Sequence, residues 1–174
     1  MFVLLASLLL SQAVAAQAPL PFARGCSGED YAAFDFWVGE WDVYPNGREN
    51  LVAHSRIEKL YNGCAIRENW MPLSGNAGGS LSGYDPATRR WRQTWIGSTP
   101  GVVSFEGGMV DGKLVLTGSW PGSGPSGEDG LTRMTYSRAA DGAVRQFGEF
   151  SADQGATWVP SFDFIYRRAA SGFD

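Results

Sequence analysis

Histidine is almost missing from this chain: His54 is the single one in 174 residues. A metal centre built on several imidazoles is therefore excluded, and a Ser-His-Asp triad would have to use His54 as its base. Its alternation with Arg56 and Glu58 predicts a solvent-facing side chain. Cysteine is nearly as scarce, with only Cys26 and Cys64, and their spacing is not that of a metal motif. Basic residues are too few to outweigh the acidic ones, leaving a net charge of −4 with no run of either sign. That excludes the electrostatic footprint of a nucleic-acid partner. No G-x-S-x-G, H-E-x-x-H, Walker or dinucleotide motif occurs. No apolar run reaches the ~20 residues that span a bilayer, so no integral membrane segment is expected in the mature chain.

What is present begins with a short apolar stretch, Met1-Phe2-Val3-Leu4-Leu5-Ala6-Ser7-Leu8-Leu9-Leu10, followed by the small residues Ala13-Val14-Ala15-Ala16. This is the order of an export signal over residues 1–16 with a small-x-small cleavage site. No Lys or Arg precedes the apolar run, and a buried N-terminal helix is the alternative. Export predicts a periplasmic or secreted protein. It also places Cys26 and Cys64 in an oxidising compartment, where a disulfide is expected; two buried free thiols are the alternative.

Residues 17–30 are expected as an irregular arm or a short helix leading into the barrel, 31–168 as the folded domain and 169–174 as a tail. Within the domain, turn chemistry is dense: Tyr44-Pro45-Asn46-Gly47, Asn62-Gly63, Asp85-Pro86, Asp111-Gly112, Asp141-Gly142 and Asp153-Gln154-Gly155. Asn-Gly and Asp-Gly reach positive φ at low cost, as tight hairpins require. Period-two runs lie between them, at 38–44, 51–60, 64–71, 79–84, 90–96, 102–106, 113–119, 131–137, 144–150 and 158–167. These predict an all-β fold, a single antiparallel up-and-down barrel of about ten strands, because closure removes exposed sheet edges. The Gly-, Pro- and Ser-rich stretches 74–79 and 121–130 are expected as loops, either at a barrel mouth or as surface slack.

Alternation also proposes a site. Ile66, Glu68 and Trp70 share one face of a strand, and Trp91, Gln93 and Trp95 share a face of another. Near the C-terminus Trp158, Phe162, Phe164 and Tyr166 fall on one face. Several indoles on an exposed face would make an association-prone patch, so these faces are expected to point inward. The predicted ligand-binding set is Glu68, Trp70, Trp91, Gln93, Trp95, Arg133, Phe162 and Phe164. A buried carboxylate needs a partner, for which Arg133 and Arg145 are the candidates. A filled barrel with a satisfied ion pair, or a register that turns these residues outward, are the alternatives. A lumenal acid–base enzyme would pair Glu68 with Glu149.

The segment Phe34-Asp35-Phe36-Trp37-Val38-Gly39-Glu40-Trp41 resembles the first-strand signature of lipocalins and related calycin barrels. In that family the Trp packs across the closed barrel end beneath an Arg from near the last strand. The resemblance implies structural roles for Gly39, Trp41 and Arg167, with Arg168 the alternative cation. The chain is also similar, over most of 30–168, to small exported bacterial proteins of unknown function, through segments 34–43, 63–71, 91–95 and 157–167 and Tyr84-Asp85-Pro86. Ten strands rather than eight depart from the lipocalin pattern and leave a fatty-acid-binding or nitrobindin-like barrel open; the latter implies haem ligation by His54 as a further alternative. The resemblance implies binding of a small hydrophobic or amphipathic ligand, with no cofactor expected.

Overall fold

Tight turns dictate the architecture. Asp111 and Gly112 both take positive φ, 49° and 74°, and join two strands through a two-residue hairpin. That is the left-handed pair whose twist matches the flanking strands. The computed structural model describes residues 25–170 and Gly172. The expected export signal and most of the expected arm lie outside the described residues.

Ten strands follow one another: β1 (Gly39–Pro45), β2 (Ala53–Leu60), β3 (Ala65–Pro72), β4 (Gly78–Asp85), β5 (Arg90–Gly97), β6 (Val103–Val110), β7 (Lys113–Trp120), β8 (Gly130–Arg138), β9 (Val144–Ser151) and β10 (Val159–Arg168). Each pairs antiparallel with its sequence neighbours, and β10 returns to β1, closing an up-and-down barrel. The register Trp41↔Arg168 puts the start of β1 and the end of β10 at one rim. The long connections 46–52, 73–77, 98–102, 121–129 and 152–158 gather at the opposite rim, including both Gly-, Pro- and Ser-rich stretches.

The first rim is closed from within. A helical turn, α1 (Glu29–Ala32), and a 3₁₀ turn (Asp35–Trp37) carry Phe34 and Trp37 into the barrel end, where both are fully buried. Phe34 stacks on Trp37 at 4.8 Å and meets Tyr136 at 4.9 Å and Trp91 at 5.7 Å. A disulfide between Cys26 and Cys64 ties this segment to the residue preceding β3.

Trp41 is fully buried, and its Nε1 donates to the Trp37 carbonyl at 2.8 Å. The cation over its ring is Arg168, 4.0 Å from the centroid, which also donates from Nη1 to the Val38 carbonyl at 3.0 Å. Arg167 was expected here, and the correction follows from strand parity. Tyr166 points inward on β10, so Arg168 shares its side, while Arg167 turns outward to Glu49 and over the Tyr44 ring. Gly39 makes the crossing possible: its φ is +148°, and a Cβ there would collide with the Arg168 guanidinium.

Candidate functional site

β-strand parity sends every second residue inward, and the inward rows leave a cavity of about 330 Å³ toward the loop-bearing rim. Its upper walls are aromatic. Trp70 of β3 faces Phe164 of β10 at 5.7 Å, and Phe164 stacks on Phe162 at 5.5 Å. Across the cavity Trp95 of β5 lies 6.4 Å from Trp120 of β7, which meets Phe105 of β6 edge-on at 5.9 Å. Asn76, Gly97 and Thr99 come from the rim.

The floor is polar and sits on the aromatic plug. Glu68 of β3 is 6% exposed. Ser80, directly opposite on β4, donates to its Oε2 at 2.9 Å, and Ser55 of β2 reaches Oε1 at 3.5 Å. One step along the same two-residue rhythm, Ser82 accepts from Nε2 of its cross-strand partner Gln93 at 3.0 Å. On the far side Tyr166 donates to Gln146 Oε1 at 2.7 Å, and Gln146 Nε2 donates to the Tyr136 hydroxyl at 2.9 Å. Burial pushes Glu68 up to about 7, although the two serine hydroxyls pull the other way. Burial, reinforced by the nearby Glu68 charge, holds both Tyr136 and Tyr166 well above the ordinary phenol value.

Of the predicted set, Glu68, Trp70, Gln93, Trp95, Phe162 and Phe164 line this cavity together. Two members do not. Trp91 lies deeper, 3% exposed between Phe34 and Tyr84, and is part of the closed end. Arg133 lies on the outer face, because Thr132, Met134 and Tyr136 are the inward row of β8. There it pairs with Glu149 through two hydrogen bonds of 2.9 Å and covers Trp158 at 4.1 Å. Glu149 is thus outside too, and Arg145 pairs with Asp163 rather than with Glu68. Trp158 falls outside the row of Phe162 and Phe164 because the β9–β10 register shifts between Pro160 and Phe162, which breaks the two-residue count. His54 sits on the outer side of β2, with Nδ1 2.8 Å from Asp42, away from the cavity.

Sequence reasoning missed Tyr136 and Gln146, which share the floor with Tyr166, and the serines that hold Glu68. The S-x-S of Ser80 and Ser82 opposite Glu68 and Gln93 was the available signal. Among the described residues no group of three or more His, Cys, Asp or Glu side chains is gathered to hold a metal ion. No helix among them is long and apolar enough to cross a membrane. Neither a protein-family model nor a curated protein sequence matches the chain.

Proposed function

We propose that this chain is a lipocalin-like binding barrel that takes a small apolar or amphipathic molecule into its lumen. One observation carries the reading: an aromatic-walled cavity of about 330 Å³ ending on a small set of buried polar groups. Ligand sites have this makeup, mostly apolar walls with a few placed hydrogen-bonding groups, and typical volumes of ~300–1,000 Å³. The acid–base alternative needed two carboxylates in the lumen; Glu149 is outside, and among the described residues Glu68 is the only carboxylate lining the cavity. The Gly39–Trp41–Arg168 closure supports calycin kinship. We read residues 1–16 as an export signal, a reading in keeping with the Cys26–Cys64 disulfide.

The test is titration with N-phenyl-1-naphthylamine, a neutral probe that brightens in apolar surroundings. Saturable one-site binding is expected. Thr99→Trp, which fills the rim, is expected to weaken it by about tenfold or more, or ~1.4 kcal/mol. Lys113→Trp, at the opposite end of the barrel, is expected to leave it unchanged. Equal binding by the Thr99→Trp variant and the parent chain contradicts the lumenal site.

A further inference from the structure

We propose that the lumen selects organic cations: a small amine whose ammonium group reaches Glu68 while its apolar body lies among the indoles. The inference rests on the binding reading above and adds the ligand's charge.

Among the described residues the cavity is lined by one acid and by no Lys, Arg or His, yet Glu68 is nearly inaccessible to water at its floor. A buried carboxylate without a counter-charge is costly to keep ionised, and proteins ordinarily relieve that cost with Arg or Lys. The arginines of the C-terminal strands are engaged elsewhere: Arg133 of β8 with Glu149, Arg145 of β9 with Asp163, Arg168 of β10 over Trp41. A carboxylate offers about four lone-pair sites, and here two serine hydroxyls are its hydrogen-bond donors. The floor can therefore accept further hydrogen bonds from a donor-rich ligand, and an ammonium is all donor.

The walls agree. Trp70, Tyr166 and Tyr136 surround the Glu68 side of the cavity, and aromatic faces attract cations, most when water is excluded. A carboxylate ligand would meet Glu68 and two neutral phenols and be repelled. A neutral alcohol would satisfy hydrogen bonds but leave the charge unmatched.

Facing Glu68 are Ser55 of β2, Ser80 of β4, Tyr136 of β8 and Tyr166 of β10. Both tyrosines stay neutral through the range in which Glu68 titrates, so Glu68 alone sets the pH dependence. An amine binds the ionised form, so its affinity rises with pH through about 7 and levels off above it. The amine itself stays charged throughout, as a lysine side chain does with its value near ~10.4.

The experiment is calorimetric titration of the disulfide-bonded chain with 2-phenylethylamine, 2-phenylethanol and phenylacetate, matched in size and differing in charge. At pH 8 the amine is expected to bind about tenfold or more tighter than the alcohol, with phenylacetate weakest. Between pH 8 and pH 6 the amine-to-alcohol ratio is expected to fall about tenfold, following the ionised fraction of Glu68. Glu68→Gln, which keeps the shape, is expected to bring the ratio close to one while alcohol binding persists. Alcohol binding as tight as amine binding in the parent chain overturns the cation inference and leaves the binding barrel standing. An amine preference that survives Glu68→Gln overturns it as well. Absence of binding by all three compounds and by N-phenyl-1-naphthylamine overturns both readings.

Discussion

Removing Glu68 from water raises its value from 4.5 to about 7, and the same shift makes the fold pH-dependent. The native state holds the proton more tightly than the unfolded chain does. The stability linked to Glu68 is therefore fully present below pH 4.5 and is lost as pH rises toward about 7. Glu68→Gln is expected to stabilise the chain by a few kcal/mol at pH 8 and to have little effect at pH 4.5, read from urea midpoints at both pH values. A uniform effect across that window contradicts the burial of an unpaired carboxylate. At the other end of the barrel, Trp41→Ala is expected to cost ~3–5 kcal/mol, as for other emptied aromatic core sites. Arg168→Ala should cost about 1 kcal/mol through the lost cation–π contact. Arg167→Ala should lower the melting temperature less than Arg168→Ala, since its partner Glu49 is out in solvent and its contact with the Tyr44 ring is on the outer face. The reverse order for the two arginines would restore the assignment that the sequence alone favoured. Parity separates them once Tyr166 is taken as inward: Arg168, two residues on, shares its side, and the register Trp41↔Arg168 sets it opposite the indole.

At the scale of elements, the ten strands were legible because their ends are written in residues with one strong preference each. Asp111-Gly112 and Asn62-Gly63 end strands wherever they occur, and the predicted runs fall within one or two residues of most strand ends. Val103–Val110 is the exception: its last four residues, Gly107-Gly108-Met109-Val110, carry two glycines and no clear alternation. Facing direction was less legible. In β8 each face mixes polar and apolar groups, so Arg133 and Met134 were equally good candidates for the interior. In β10 a bulge interrupted the count between Trp158 and Phe162. Gly148 of β9 shows what that arrangement needs: it lies opposite Phe162, and a Cβ there would collide with the Phe162 ring. Gly148→Ala is expected to push Phe162 into the cavity and weaken N-phenyl-1-naphthylamine binding several-fold, with far-UV circular dichroism unchanged. Undiminished affinity would mean that Phe162 does not wall the site. The disulfide acts on a second element. Cys26 and Cys64 are 38 residues apart, and closing such a loop stabilises by roughly 2–4 kcal/mol. Reduction should lower the urea midpoint accordingly, and an unchanged midpoint contradicts a stabilising role for the bridge.

Across the whole molecule, the tryptophans divide between packing and lining. All seven lie in the described residues, and they fall into three groups. Trp37, Trp41 and Trp91 pack the closed end, Trp158 lies outside under Arg133, and Trp70, Trp95 and Trp120 wall the cavity. The aromatic richness seen in the sequence therefore serves two purposes, core and site, which composition cannot tell apart. The most direct measurement is a ¹H–¹⁵N spectrum of the seven indole N–H groups during titration with N-phenyl-1-naphthylamine. Large, saturable shifts are expected for Trp70, Trp95 and Trp120, and small ones for Trp37, Trp41, Trp91 and Trp158. Shifts centred on Trp158, or on none of the three cavity indoles, would contradict a ligand-binding lumen.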